Sequence, residues 1–241
     1  QGISEYSIII PNASVTNHLS YASKELKEII SDITGADLEI YNEEEISSYP
    51  TDKVISLGET SLYKQNELTL PDPVSRGFDA KQNYYYSGYY IKTIGNNIFI
   101  NSDESYKYEG VLYGVYELLH ILTGFEVYAP DETYFNQSNT IYFQEIDKVD
   151  IPTFDVRELS YREFIEEEKM TKRMRMMNKE NDSRWATFGH TLTGKWGGLL
   201  NYDKYQSLHP DWFSRESGSD NPSAEIQWHL CYTARGNKDS Y

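Results

Sequence analysis

A short apolar strand followed by a long stretch of apolar residues at helical spacing constrains the fold of this chain more than any other feature. Residues 6–10 alternate as a β-strand that ends at Pro11, and apolar residues then recur at helical spacing. These residues are Leu19, Ala22, Leu26, Ile29, Ile30 and Ile33. Gly35 supplies the helix stop, and two further strands are predicted at 38–41 and 54–57. The chain therefore opens as β-α-β-β.

A hairpin and a second amphipathic helix follow. Strands are predicted at 89–94 and 98–101, joined by Gly95, Asn96 and Asn97, which are residue types that tight hairpin turns accept. Helical spacing then returns over residues 108–122 and stops at Gly124.

The remaining segments complete the first predicted domain. Residues 63–82 carry proline and glycine without a clear period and are predicted to form a long connection. Further strands are predicted at 125–128 and 140–143. Residues 1–148 are therefore predicted to form one α/β domain, a mixed sheet with two helices.

The character of the sequence changes after residues 147–152. All four methionines lie within residues 170–177, and the tryptophans come later, at Trp185, Trp196, Trp212 and Trp228. A strand at 154–159, a helix at 166–178 and strands at 184–188 and 225–231 are typical of β/α units. A closed barrel of such units takes roughly 250 residues, and 91 residues follow Asp150. Residues 151–241 are therefore predicted to be the first strands of an incomplete (β/α)8 TIM-type barrel.

Charge and hydropathy exclude several classes of partner. The formal net charge is −16, so we expect no nucleic-acid partner, since the field of the protein repels polyphosphates. The basic cluster within Lys169–Lys179 follows four glutamates and is predicted to be a solvated helix face. No run approaches the ~20 apolar residues of a membrane helix. The sequence starts at Gln1 without a basic or apolar leader, so the chain is either cytosolic or has lost a signal peptide.

Several segments resemble known glycosidases. Residues 6–35, Ile55–Thr60 and above all Gly110–Leu119, with its Gly-x-x-Tyr-Gly-x-Tyr pattern, resemble the accessory domain that precedes the barrel in family 20 hexosaminidases and family 67 α-glucuronidases. Pro152–Arg157 is similar to the Pro-x-Phe-x-x-Arg entry into their first barrel strand. His190-Thr191, His209–Phe213 and His229–Thr233 look most like bacterial proteins grouped under domain of unknown function 4838.

The resemblance implies a secreted or surface-attached bacterial protein that processes polysaccharide, which would mean that a signal peptide has been removed. It also implies that Arg157 holds sugar hydroxyls, a role that suits the fixed fork of donors on a guanidinium. Glu158 stands where those enzymes usually carry glycine. One barrel fold hosts many chemistries, so the resemblance specifies fold better than reaction.

Other candidate ligand-binding residues lie further along the predicted barrel. His190 and Trp196, on a loop after the second strand, would place a hydrogen-bonding group beside a stacking platform for a sugar ring. His229 lies on the third strand, where either face can line the barrel interior. Trp212 and Phe213 are predicted to be core anchors.

The machinery of catalysis is not recognisable in the sequence. Glycoside hydrolysis normally requires two carboxylates about 5–9.5 Å apart, and no such pair is evident in residues 151–241. The spacing of His190, His209 and His229 matches no compact zinc motif. Nucleophile elbows and phosphate-binding glycine loops are missing too, so we expect neither a metal nor a cofactor.

Three hypotheses remain open at this point. The leading one is the N-terminal portion of a glycoside hydrolase that binds complex polysaccharide through Arg157, with its catalytic carboxylates on the remainder of its own polypeptide. The second is a non-catalytic carbohydrate-binding or surface-assembly module that uses the tyrosines at 84–90. The third is a scaffold that covers the barrel and binds nothing, in which case the tyrosine run is half-buried strand.

Overall fold

Strands and helices alternate through most of the chain. The computed structural model describes residues 2–11, 17–45, 48–71, 88–103, 109–136, 140–142, 144–153, 157, 159, 161–176, 200–214 and 230–231. Their strands are β1 (Gly2–Ile3), β2 (Ser7–Ile10), β3 (Ala36–Asp37), β4 (Ile40–Asn42), β5 (Val54–Leu57), β6 (Tyr89–Ile94), β7 (Asn97–Asn101), β8 (Glu126–Ala129), β9 (Glu132–Tyr134) and β10 (Asp147–Asp150). Their α-helices are α1 (Asn17–Thr34), α2 (Ser61–Gln65), α3 (Glu109–Thr123), α4 (Arg162–Glu166), α5 (Glu168–Arg173) and α6 (Tyr202–Tyr205). The chain divides into two units, residues 1–180 and 181–241.

A mixed, mostly parallel sheet of six strands organises the first unit. The strand order is β10-β6-β7-β5-β2-β4, in which β7, β5, β2 and β4 run parallel and β6 and β10 add antiparallel pairs. Strands β5 and β2 are buried on both faces, which explains their continuous apolar runs. The pairs β1–β3 and β8–β9 are separate two-stranded sheets.

Two helices cover one face of this sheet and a short helix covers the other. Helices α1 and α3 pack against each other and against alternate residues of the central strands, including Ile8, Ile55 and Ile100. On the opposite face, Leu62 and Tyr63 of α2 pack against Ile9, Val54 and Phe99. The predicted mixed α/β fold with two main helices is confirmed at this level.

Glycines allow α3 to lie unusually close to the sheet. A Cβ on Gly114 would lie 2.5 Å from Ile100 Cγ2, and a Cβ on Gly110 would meet the Gly88 carbonyl and approach Ser102 Oγ to 2.5 Å. Eleven of the fifteen residues of α3 are buried. The helix is therefore enclosed on nearly all sides, which is why its sequence is apolar around most of its circumference.

The predicted opening and hairpin are confirmed. All six apolar residues predicted for the buried face of the first helix are buried in α1. Gly35 and Gly124 follow the last helical residues at positive φ, and their amides donate to the carbonyls of Ser31 and His120. Strands β6 and β7 pair with Ile94 opposite Asn97, so the turn itself has two residues, Gly95 and Asn96.

The strand predicted at 140–143 is wrong. Residues 140–142 belong to no strand, and Ile141 instead packs its side chain against the core. The edge beside β6 is taken by β10, whose register is fixed because the backbone and hydroxyl of Thr93 bond Ile146 at 2.9–3.1 Å. Sequence pattern missed β10 because it carries charges suited to an exposed edge, where Lys92 pairs with Asp147.

The tyrosines at the start of β6 are core residues. Tyr89 is 2% exposed and Tyr90 is 7% exposed, and the Tyr89 hydroxyl donates to Asp150 Oδ2 at 3.0 Å. Burial raises the pKa of Tyr89. The positive charge of Arg175 opposes this rise, and the negative charges of Glu117 and Asp150 add to it. These two side chains cannot serve as an exposed sugar-binding surface. Tyr84, Tyr85 and Tyr86 lie outside the described residues.

The segment predicted to enter a barrel is part of the first unit up to residue 180. Helices α4 and α5 replace the single helix predicted at 166–178. Of the strand predicted at 154–159, only Arg157 and Leu159 are described, and neither belongs to a strand. The described residues form no closed barrel, and where a barrel domain begins along the chain stays a prediction.

The second unit is described over two short segments. Asn201 caps α6 by accepting from the Lys204 amide at 3.1 Å, and the ring of Tyr202 meets Phe213 edge-on at 5.1 Å. Phe213 is fully buried and forms a β-bridge with Leu230, which confirms it as a core anchor; Trp212 is partly exposed. Of the strand predicted at 225–231, the first five residues lie outside the described part, as does the whole strand predicted at 184–188.

Within the described ranges, no helix has the length and apolar character that crossing a membrane requires.

The close approach of α3 leads to a stability prediction. Gly110→Ala should lower the free energy of unfolding by about 3 kcal/mol, because the new methyl group meets backbone that cannot move aside. Gly35→Asn is the matched control: its site is open and asparagine tolerates positive φ, so we expect a loss of about 1 kcal/mol or less. Urea unfolding followed by far-ultraviolet circular dichroism measures both. Equal losses in the two variants would contradict the close packing.

Candidate functional site

A polar cleft lies where α5 meets α3 and β8. It encloses about 350 Å³. Its lining combines arginines, glutamates and aromatic rings: Tyr116, Glu117, His120, Phe125, Glu126, Val127, Arg173, Met174 and Arg175. We call it the arginine cleft. All of its lining residues belong to the first unit, so its geometry follows from how α5 sits on α1 and α3.

A buried carboxylate on α1 holds α5 in place. Glu25 is 3% exposed, and both its oxygens receive the guanidinium of Arg173, Nε at 2.8 Å and Nη2 at 3.3 Å. Tyr116 donates its hydroxyl to the same carboxylate at 3.0 Å, and Arg173 also lies 5.9 Å from the Phe125 ring. A buried charge must be paired and hydrogen-bonded in this way because its desolvation is otherwise very costly.

The rest of the basic cluster surrounds this pair. Lys169 bonds Glu28 at 2.5 Å, and Lys172 bonds Glu168 at 2.7 Å while lying 4.4 Å from the ring of Tyr21. The side chain of Arg173 is only 13% exposed, so the prediction of a solvated helix face is wrong at this position. The carboxylates that bind Lys169 and Arg173 lie on α1, some 140 residues earlier in the chain. Charge patterning along one helix cannot reveal pairs this far apart in sequence.

A second buried carboxylate, on α3, binds the end of α5. Glu117 accepts from Arg175 Nη1 at 2.6 Å and from Lys148 on β10. Burial alone would raise the pKa of Glu117, but the Lys148 hydrogen bond and the Arg175 charge outweigh it, so the pKa is lowered. Glu117 is therefore ionised at neutral pH and cannot supply the protonated carboxyl that glycoside hydrolysis requires.

Of the two tyrosines of the Gly-x-x-Tyr-Gly-x-Tyr pattern, Tyr116 lines the cleft and Tyr113 binds the segment after α5. The Tyr116 hydroxyl is bound to Glu25, and burial followed by the Glu25 charge raises its pKa. The Tyr113 hydroxyl donates to the Met176 carbonyl at 3.3 Å. Nearby, burial followed by the charge of Glu25 raises the pKa of Tyr21 to about 12. The phenols of Tyr116 and Tyr21 therefore remain neutral hydrogen-bonding groups at physiological pH.

Arg157, the first predicted sugar-binding residue, lies beside the arginine cleft. Its Nε donates to the Arg175 carbonyl at 3.1 Å, and its guanidinium lies 5.9 Å from the centre of the Tyr113 ring. The side chain is half-buried. The hydrogen bond fixes the Nε end of the guanidinium. The ligand role of Arg157 stays a prediction.

The structure gives no position for the other predicted site residues. His190, Trp196 and His229 lie outside the described residues. His209 stacks on Trp212 with ring centres 3.9 Å apart, as a local contact of the second unit. The part of the chain that the structure describes holds no group of three His, Cys, Asp or Glu side chains arranged for a metal ion.

Sequence reasoning missed the charged residues of the cleft. Glu25, Glu117 and Arg175 were not predicted, although Glu117 lies inside the Gly110–Leu119 segment. A charged residue in a helix that is otherwise apolar all round was the available signal, since such a helix is buried and its charge needs a partner.

A second cavity, of about 340 Å³, lies at the amino ends of the parallel strands. Its lining is mainly apolar and includes Tyr6, Ile30, Leu38, Leu122 and Ile141. The arginine cleft instead has a lining rich in charged groups, and Arg157 donates to the carbonyl of Arg175, one of its lining residues. The arginine cleft is therefore the better candidate for a functional site.

Breaking the buried pair should destabilise the first unit. Glu25→Gln removes the buried carboxylate that binds Arg173 most closely and leaves it only the more exposed Glu28 at 3.5 Å, so we expect the free energy of unfolding to fall by about 3 kcal/mol. Glu168→Gln removes an exposed i,i+4 pair and should cost about 0.5 kcal/mol or less. Urea titration of both variants against the parent chain tests this. A small loss in Glu25→Gln would mean that the pair contributes nothing to holding α5.

The lowered pKa of Glu117 makes stability depend on pH. Because the unfolded chain binds this proton more tightly, the stabilisation is complete above the ordinary value of 4.5 and is lost as the pH falls through the lower folded value. The difference in free energy of unfolding between the parent chain and Glu117→Gln should therefore be larger at pH 7 than at ~pH 3. Chemical unfolding at both pH values measures it. A difference that does not change with pH would show that Glu117 is not held in its ionised form.

Comparisons with known proteins add no relative: no protein-family model and no curated protein matches this chain. The likeness to glycosidases therefore depends on the motif residues themselves.

Proposed function

We propose that this chain is the N-terminal portion of a secreted or surface-attached glycoside hydrolase-like protein. Residues 1–148 are an accessory domain, and residues 151–241 begin a (β/α)8 barrel that the rest of the polypeptide completes. In this proposal the chain contributes to binding a complex polysaccharide or glycan, and the carboxylates that perform hydrolysis lie elsewhere.

The position of Arg157 is the observation that carries the proposal. Its guanidinium lies against the Tyr113 ring, and its Nε is held by the Arg175 carbonyl. A guanidinium whose base is fixed presents its fork of donors in a set direction, which suits neighbouring hydroxyls on a sugar ring. The motif that places Arg157 after Pro152 is also the one that resembles the barrel entry of hexosaminidases and glucuronidases.

The packing of α5 supports the accessory-domain assignment. In the proposed barrel, α4 and α5 follow the first strand, and α5 is bound to α1 and α3 through Glu25, Arg173 and Met170. An accessory domain that binds the first helical segment of a barrel would also fix the segment just before it, which carries Arg157. The helices of the first unit then serve to position the binding residue rather than to bind sugar themselves.

The chemistry of the arginine cleft favours binding over catalysis. Its buried carboxylates are neutralised by arginine and lysine, and Glu117 is ionised. Neither carboxylate is placed to act as a general acid. His190, Trp196 and His229 stay predicted contacts of the same sugar site, with Trp196 as the stacking platform.

Replacing Arg157 tests the proposal directly. Isothermal titration of the 241-residue chain with N-acetylglucosamine tetramer and with glucuronic-acid-substituted xylo-oligosaccharide should show binding of one of them. Arg157→Ala should weaken that binding by about tenfold or more, since hydrogen bonds from a charged donor are lost.

Two controls make the result specific. Arg162→Ala removes an exposed arginine five residues away and should leave affinity unchanged. Arg157→Lys keeps the charge without the fork and should bind at an intermediate level. Binding that survives Arg157→Ala would refute the assignment and favour a sugar site elsewhere in residues 1–148. Failure of both oligosaccharides to bind the parent chain would favour the scaffold hypothesis.

A further inference from the structure

The turn that holds Arg157 is a strained one. Two backbone hydrogen bonds close the C-terminal end of α5. The Arg175 amide donates to the Lys172 carbonyl at 2.9 Å, and the Met176 amide donates to the Thr171 carbonyl at 3.0 Å. This is the Schellman arrangement, whose left-handed position is normally glycine. Here Arg175 occupies it with φ of 57°, a conformation that residues with a Cβ rarely adopt. Strain of this kind persists when the surrounding contacts over-determine it.

Glu117 provides the contact that compensates. Glu117 is a buried residue of α3, and one oxygen of its carboxylate accepts from the Arg175 guanidinium at 2.6 Å. The other oxygen accepts from Lys148. The side chain of Glu117 is 7% exposed, so it is screened little by solvent. The residue whose Cβ makes this backbone conformation costly is thus the same one whose guanidinium ties the turn to α3.

The backbone of this turn is in turn the acceptor for Arg157. The Arg175 carbonyl accepts from Arg157 Nε at 3.1 Å, and the next carbonyl, of Met176, accepts from Tyr113 at 3.3 Å. Tyr113 also provides the ring over which the Arg157 guanidinium lies. Glu117 and Tyr113 are one helical turn apart on α3, so both anchor points move with that helix.

We propose that Glu117 is a positioning residue for Arg157. It acts through Arg175: the ion pair fixes the turn after α5, the turn fixes the carbonyl, and the carbonyl orients the guanidinium. The part that concerns sugar binding rests on the proposed function, whereas the coupling between Glu117 and Arg157 does not. Glu117 itself touches no ligand in this scheme.

Nuclear magnetic resonance of the arginine Nε–H group tests the coupling without any ligand. In the ¹⁵N-labelled 241-residue chain, the Arg157 signal is identified by its disappearance in Arg157→Lys. In Glu117→Gln, which keeps the shape and removes the charge, Arg157 Nε–H should exchange with solvent about tenfold faster, because its acceptor is no longer fixed. In the matched control Glu28→Gln, an ion-pair partner of Arg173 and Lys169, the exchange rate should not change.

A second variant covers the case in which Glu117→Gln fails to fold. Arg175→Gly accepts the left-handed conformation more readily than arginine but removes the ion pair, so the proposal expects faster Arg157 exchange there too. Unchanged exchange in a folded Glu117→Gln, or in Arg175→Gly, would overturn the proposal, since the backbone alone would then hold Arg157.

The sugar measurements separate this inference from the proposed function. If the oligosaccharides bind through Arg157, Glu117→Gln should weaken binding by about threefold to tenfold at neutral pH, and Glu28→Gln should not. Binding that depends on Arg157 but not on Glu117 would overturn the inference and leave the proposed function standing. Faster Arg157 exchange in Glu117→Gln, in a chain that binds neither oligosaccharide, would support the inference and contradict the proposed function.

Discussion

The closeness of α3 to the sheet is the constraint on which the rest of the first unit depends. Gly110 and Gly114 remove the side chains that would hold the helix away from Gly88 and Ile100. A helix seated this deeply is enclosed by the sheet, by α1 and by α5, so each polar group on it requires a partner. The tyrosines and the glutamate of the same helix therefore determine what can pack above them.

The partners of those groups lie on the segment after the sheet. Arg173 and Arg175 bring their charges to Glu25 and Glu117, and Met170 adds an apolar contact with the core. Buried ion pairs contribute little net stability compared with apolar contacts, but leaving one partner unpaired is costly. Their effect is thus to specify one position for α5 and to disfavour alternatives.

The two long helices that cover the sheet consequently have different roles. The apolar face of α1 fills the core, and its Glu25 and Glu28 hold the outer side of α5. Helix α3 carries both the ring beneath the Arg157 guanidinium and the carboxylate that binds Arg175 in the adjoining turn. In the proposed function, the first unit is an organiser of the barrel entry, and its contribution to a reaction is the orientation of one binding residue.

Local sequence determined the opening β-α-β-β, the hairpin and the helix ends at Gly35 and Gly124, because periodicity and turn chemistry act over a few residues. It also marked Arg157 as a candidate. The sequence pattern misplaced the last strand of the sheet. The position of the edge strand β10 is set by its pairing with β6, and its charged residues hide the apolar alternation that would predict a strand. The sequence pattern missed the arginine cleft because Glu25 and Arg173 are 148 residues apart along the chain. Which charges meet, and therefore what holds Arg157, was decided only by the tertiary structure, where burial makes pairing obligatory.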